Sequence, residues 1–245
     1  MCGRYALDLI PDLLQEEFGI DRMEFTPQPR FNIAPSQPSP IVIGSELYGS
    51  GDGCRTGRHE RVLRPALWGL IPHWAKDSKI GYKMINARAE TLAEKPSYRG
   101  PFKYRRCIVP ATGFYEWRRE GGPTSKVKTP HLIRGVGKRP LALAGLWDHW
   151  MAPDGSEVDT YTIITTEPNE MMRRIHNRMP VIMGPEAISQ WLDPSLKNPR
   201  DMAGLQDLLK PCPYDWLEAF PVSSMVNSSE NDGPRCLDPV QLELL

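Results

Sequence analysis

The apolar runs of this chain are short, and proline or glycine interrupts most of them. Ile41-Val42-Ile43 stops at Gly44, Ala66 to Leu70 is followed by Pro72, and the run from Cys107 meets Pro110. Such runs suit strands of about 4–8 residues better than helices, which need roughly 10 or more. Cys2–Leu7 is predicted to be a first strand, and others are predicted at 130–134, 141–148, 160–165, 181–183 and Pro221–Asn227. Pro11–Phe18 has the spacing of a short amphipathic helix, with Leu13, Leu14 and Phe18 on one side and Gly19 as its stop. Short helices are also predicted at Tyr98–Arg106, 168–174, 185–192 and 201–209. Many strands, few long helices, and no repeat or linker together imply an α+β fold and a single domain over residues 1–245. Within it, 44–61 is expected to be an exposed hairpin or a surface insertion, 119–129 a surface insertion, and 228–245 an extended tail.

A chain of 245 residues is long enough to bury a sizeable core. With 40% hydrophobic and 24% charged residues it has the composition of a soluble globular protein. No apolar run is long enough to span a membrane, and the start lacks the form of a signal peptide, so no membrane partner is expected. The five cysteines are an odd, widely spaced set without C-x-x-C, which argues for reduced thiols in a cytoplasmic setting. Neither they nor the histidines have metal-ligand spacing, and no metal or other cofactor is expected. The net charge is zero but unevenly spread. Residues 81–120 hold nine Lys and Arg against four Asp and Glu, while 201–245 hold two against eight. Such polarity lets one face bind phosphates on a neutral molecule, although a plain solvated surface accounts for it equally well.

Four polar stretches place reactive groups among aromatic or small residues. In Met1-Cys2-Gly3-Arg4, loss of Met1 would leave a thiol and a free α-amine on adjacent carbons. Both titrate near neutrality, at about 8.5 and about 7.7–8.0, and a nearby cation such as Arg4 would favour the thiolate. In Asn86-Ala87-Arg88 an amide can hold a substrate oxygen and a guanidinium a phosphate. Gly113-Phe114-Tyr115-Glu116-Trp117 sets a carboxylate among three aromatics, where loss of water suits it to proton transfer. His176-Asn177-Arg178 offers a proton shuttle beside a cation. Trp74, in the loop after Pro72-His73, is a stacking surface for a base. Plainer readings stand beside these: Asn86 as a turn amide, Glu116 facing solvent, His176 capping a helix, Trp74 in the core.

Taken in order, Met1-Cys2-Gly3-Arg4, Phe31-Asn32-Ile33-Ala34-Pro35, Trp68 to Pro72, Ile85 to Thr91, Gly113 to Trp117, His176 to Pro180 and Pro221 to Asn227 resemble the SOS response-associated peptidase (SRAP) family. Members of that family shield abasic sites in single-stranded DNA. The resemblance implies a barrel-like, bifurcated, mostly antiparallel β-sheet surrounded by helices. It also implies that Cys2, freed of Met1, crosslinks to the ring-opened deoxyribose as a thiazolidine. On this reading Asn86 positions the cysteine and sugar, Glu116 handles protons, and His176 assists ring opening and reversal. Arg4, Arg88 and Arg178 would grip phosphates, and Trp74 would stack on the DNA. The sequence departs from some members at Ala75, where a second aromatic can follow the first.

The implied partner is single-stranded DNA carrying abasic sites, with no obligatory protein partner, in the bacterial nucleoid or a eukaryotic nucleus. The implied activity is covalent crosslinking, classed with peptidases, hydrolases or lyases, and the family's name also points to autoproteolytic exposure of Cys2. Two other classes compete. Met-Cys-Gly also opens glutamine amidotransferases, in which an N-terminal cysteine attacks an amide. A non-covalent reader of modified DNA would use the same groove without needing Cys2.

Overall fold

The computed structural model describes residues 2–48, 55–121 and 127–240. Strands are numbered in chain order among the described residues, and five of them close into a barrel. In the larger sheet, β4 (Pro38–Tyr48) and β5 (Arg55–Trp68) form a long antiparallel pair, β7 (Arg106–Ala111) pairs with β4, β10 (Leu141–Met151) with β7, and β11 (Glu157–Thr166) with β10. The parallel contact of β11 with β5, Thr160 against Leu67 and Tyr161 against Trp68, closes these five strands into a ring. Closure removes the open edges an extended sheet would leave. Two short strands, β2 (Arg22–Met23) and β12 (Met179–Pro180), extend the sheet at β5 and β11. Another, β6 (Asn86–Arg88), lies parallel on β11. The second sheet runs in the order β13 (Leu217–Pro221), β9 (Lys128–Gly135), β8 (Gly113–Arg119), β1 (Tyr5–Leu7), β3 (Arg30–Ile33). A branched, mostly antiparallel sheet with peripheral helices is the α+β architecture expected from the resemblance.

The two sheets meet through aromatic residues. The Tyr5 hydroxyl bonds Ser39 at 2.5 Å and Tyr161 at 2.7 Å, and Trp68 stacks on Tyr161 with ring centroids 6.2 Å apart. Helix α1 (Pro11–Phe18) ends at Gly19, whose φ of 58° is the left-handed geometry a glycine stop supplies. Helices α2 (Pro96–Tyr104) and α3 (Pro185–Leu192) are joined to β7 by Arg106, which donates to carbonyls of Phe102, Lys103, Trp191 and Asp193. Helix α4 (Pro199–Asp207) opens with an Asn198–Asp201 capping box.

Several expectations need correction. Of the two readings of 44–61 the hairpin holds and the insertion does not: residues 44–48 and 55–61 continue β4 and β5 as an antiparallel pair, with Gly44 opposite Arg61. A side chain at Gly44 would meet the Leu192 carbonyl, so α3 lies directly on this pair. Residues 49–54, and 122–126 of the second expected insertion, lie outside the described residues. Arg119, Lys128 and Thr129 belong to β8 and β9. The late strand is Leu217–Pro221, and Ser224–Asn227 is a 3-10 turn capped by Ser223, which accepts from the Met225 N–H. The stretch 168–174 forms only a 3-10 turn at Met172–Arg174. Residues 228–240 do not trail away. Asn32, fully buried, donates to the carbonyls of Val226, Ser228 and Asn231, while Asp232 accepts from the backbone of Phe31 and Asn32 and pairs with Arg30. The carbonyls of this irregular segment need donors, and an inward-facing asparagine provides them.

Candidate active site

Cys2 sits where the two sheets converge. Strand β1 is an interior strand, with β3 on one side and β8 on the other, and Tyr5, Ala6 and Leu7 are all buried. Pairing of β1 with β8 aligns Tyr5 with Phe114, and the Tyr115 N–H bonds the Arg4 carbonyl at 2.9 Å. Two residues beyond Phe114, and on the same face, Glu116 comes level with the start of β1. Strand β6 reaches the place from the other side. Its backbone is held by β11, with Ile163 opposite Asn86, and the Trp68 indole N–H donates to the Ile85 carbonyl at 2.9 Å. The Asn86 Nδ2 then donates to the Cys2 carbonyl at 2.7 Å. Its Oδ1 is buried and has no hydrogen-bond partner among the described residues.

Glu116 is nearly buried, and its Oε2 lies 4.0 Å from the His176 Nε2. The Nδ1 of His176 accepts the Arg178 backbone N–H at 3.1 Å, which assigns the ring proton to Nε2, facing Glu116. Burial lowers the pKa of His176, with Glu116 acting in the opposite sense, so the ring is neutral at pH 7. The fold therefore brings Cys2, Asn86, Glu116 and His176 together at one place. No three His, Cys, Asp or Glu side chains cluster as metal ligands would among the described residues.

The thiol departs from expectation. Cys2 is 0% exposed, and its pKa is pushed well up, first by burial and then by the Glu116 charge. Arg4 does not offset this, because its guanidinium points away. Nη1 donates to Asn32 Oδ1 at 2.9 Å and to the Val226 carbonyl at 2.8 Å. The resting sulfur is thus a thiol, and the cation expected to ionise it ties the N-terminal segment to the C-terminal one.

The four residues expected to contact DNA fall into two groups. Arg88 shares a face of β6 with Asn86, is exposed, and has no hydrogen bond or ion pair to its guanidinium among the described residues. Trp74 is 51% exposed on a loop held at three points: Ile71 N–H to Thr160 Oγ1 at 2.8 Å, His73 N–H to Asp148 Oδ2 at 3.0 Å, and Trp150 Nε1–H to the Ala75 carbonyl at 2.7 Å. These two are open to a ligand. Arg4 is engaged as described, and Arg178 makes a two-pronged pair with Glu90 at 2.7 and 3.0 Å and also bonds the Thr165 carbonyl. Arg178 is therefore already matched to a planar carboxylate, which lowers the Glu90 pKa. A buried residue not singled out from the sequence stands beside Glu116 in the sheet. His131 on β9 is the direct cross-strand partner of Glu116. Its only sequence signal is a polar residue inside an apolar strand run, which does not say which way the side chain faces.

The chain is similar to known proteins along most of its length. The family model described as SOS response associated peptidase (SRAP) matches residues 1–229. The abasic site processing protein YoqW of Bacillus subtilis is 46% identical over 242 residues, covering 97% of this chain and 99% of its own. The abasic site processing protein HMCES of Gallus gallus is 37% identical over 239 residues, covering 88% of this chain and 67% of its own. A solved structure of a Bacteroides thetaiotaomicron protein superposes with a TM-score of 0.81 at 27% identity, covering 98% of this chain and 100% of that one.

Proposed function

This chain belongs to the SOS response associated peptidase (SRAP) family, and on that basis we propose that it captures abasic sites in single-stranded DNA through Cys2, as a thiazolidine that protects the strand from cleavage. The names of its relatives, abasic site processing proteins, favour abasic DNA as the substrate. The observation that carries the covalent reading is the hold on Cys2. Its carbonyl is clasped by Asn86, whose other amide atom is buried and without a partner among the described residues, beside the Glu116–His176 pair.

The chemistry follows from the order in which the two nucleophiles become available. With Met1 removed, the α-amine of Cys2 adds to the aldehyde carbon, and the carbinolamine loses water to give an imine. Glu116 takes a proton from the amine and returns one to the departing hydroxyl. The buried thiol stays protonated until then. Its sulfur next bonds the imine carbon, its proton passes to the imine nitrogen, and the five-membered ring closes with net loss of one water. Ring closure removes the electron sink that β-elimination requires, so the strand survives. His176 Nε2–H faces the sugar oxygen released on ring opening, and Asn86 Oδ1 accepts from the attacking amine. Trp74 stacks on an unpaired base and Arg88 binds a phosphate, neither of which reads sequence. Arg4 and Arg178 serve chiefly to brace the pocket, and a phosphate would have to displace Glu90 to reach Arg178.

The test is incubation with abasic single-stranded DNA, then denaturing electrophoresis and intact-mass measurement. The expected adduct is the chain without Met1 plus the DNA minus one water, absent for Cys2→Ala, which should still bind the strand weakly. A Cys2→Ala protein with undiminished protection of the strand would favour the non-covalent reader. Release of glutamate from glutamine would favour the amidotransferase.

A further inference from the structure

We propose that Arg105 is a further DNA-binding residue, which takes the phosphate beside the base stacked on Trp74. The proposal deepens the reading above, in which Trp74 stacks on single-stranded DNA, and rests on it. His73 and Trp74 are the two central residues of a β-turn, closed by the Ala75 N–H on the Pro72 carbonyl at 2.8 Å. The turn is anchored on Asp148, which is wholly buried. Its Oδ2 accepts the His73 backbone N–H at 3.0 Å and meets His73 Nδ1 at 3.2 Å, while Oδ1 accepts the His149 N–H at 2.9 Å. Oδ1 also meets Arg105 Nη1 at 3.2 Å. One carboxylate thus fixes both the turn that presents Trp74 and the guanidinium of Arg105.

Arg105 is anchored without being used up. Its guanidinium has no other ion pair or hydrogen bond among the described residues, and its side chain is 32% exposed. The contact with Asp148 is single-pronged, and that carboxylate shares its charge with two backbone N–H groups and an imidazole. Arg178, by contrast, is held in two prongs by Glu90. The Nε and Nη2 groups of Arg105 remain for a phosphate, and a guanidinium already held in place needs little ordering to bind one. The carbonyls at the C-terminal end of α2, which precedes Arg105, would repel an anion if bare. Arg106 covers them, donating to those of Phe102 at 3.1 Å and Lys103 at 2.8 Å. Strand β11 sets the spacing, with Arg88 opposite Thr165, Asn86 opposite Ile163 and Asp148 opposite Thr160. At about 3.3 Å per residue these positions span about 16 Å, the scale of a few nucleotides. Asn86, which holds Cys2, lies between the two arginine positions, so the strand would be gripped on both sides of the reacting sugar.

The experiment measures affinity for an abasic single-stranded oligonucleotide by fluorescence anisotropy over a range of salt, in the Cys2→Ala protein so that binding is read without crosslinking. Arg105→Ala, Arg105→Lys and Trp74→Ala are each compared with that parent. We expect Arg105→Ala to weaken binding about fivefold and to make the slope of log K against log salt shallower by about 0.7. Arg105→Lys, which keeps the charge, should keep the parent's slope. A second series replaces one phosphate at a time with an uncharged methylphosphonate. One position should weaken binding by the parent and leave Arg105→Ala unaffected, an effect that a merely structural partner of Asp148 would not show. An unchanged salt slope in Arg105→Ala, or a methylphosphonate profile the same as the parent's, would overturn the proposal. Trp74→Ala binding as tightly as the parent would instead remove the stacking reading on which it rests, and the proposal with it.

Discussion

Each reactive residue of the pocket is set by one or two contacts, and His176 shows how much a single one decides. Its Nδ1 accepts a backbone N–H, so an added ring proton would face that N–H and lose the bond. Burial lowers its pKa in the same direction. The unfolded chain, with a histidine near about 6.5, binds the proton more readily than the folded one. Stability from this residue is therefore fully present above about pH 6.5 and is lost as pH falls toward the lower folded value. Urea midpoints at pH 7 and pH 5.5 should fall further for the wild type than for His176→Gln. An equal fall in both proteins would place the acid sensitivity elsewhere. Glu116 opposes the effect, since its charge favours the protonated ring, so the difference will be modest.

At the level of elements, β1 governs when the reactive end can be made. It is laid between β3 and β8, and the residue ahead of it, Arg4, is tied to Asn32 and to the carbonyl of Val226. An aminopeptidase needs the first residues of its substrate extended and free, whereas Cys2 is wholly buried and Asn86 holds its carbonyl. Excision of Met1 by such an enzyme should therefore precede insertion of β1. Protein made with methionine excision inhibited, then folded and treated with a methionine aminopeptidase, should keep Met1 by mass spectrometry. The same enzyme should process the chain under unfolding conditions. Spontaneous loss of Met1 from the folded, untreated protein would point instead to autoproteolysis. The Trp74 loop is an element of the opposite kind, held rigidly by Asp148, Thr160 and Trp150 so that an exposed ring needs little ordering on binding.

Over the whole molecule the charges cancel, and two of the three site arginines are engaged by the protein itself. Binding to single strands should therefore depend on salt only weakly. Each phosphate neutralised contributes a slope of about −0.7 in log K against log salt. Arg88→Ala should make the slope shallower by about that amount, measured by fluorescence anisotropy on an abasic oligonucleotide that Cys2→Ala binds without crosslinking. An unchanged slope would remove Arg88 from the phosphate contacts. Once formed, the covalent adduct should withstand salt, because nothing electrostatic holds it.

The chain by itself determined which reactive groups exist and roughly which element carries each. Short runs broken by Pro and Gly made strands legible, and Pro11 and Gly19 marked both ends of α1, because these are local steric effects. The types and order of Cys2, Asn86, Glu116 and His176 were equally legible. Their meeting was not, since β6 docks on β11 (Asn86 opposite Ile163) and β1 on β8 (Tyr5 opposite Phe114) across long separations in the chain. Facing was decided only in three dimensions as well. Side chains alternate along a strand, so a slip of one residue would turn Glu116 away from Cys2. The protonated thiol of Cys2 and the engaged guanidiniums of Arg4 and Arg178 have the same origin. Burial and the demand of unpaired carbonyls for donors arise when distant segments pack, and no local pattern encodes them.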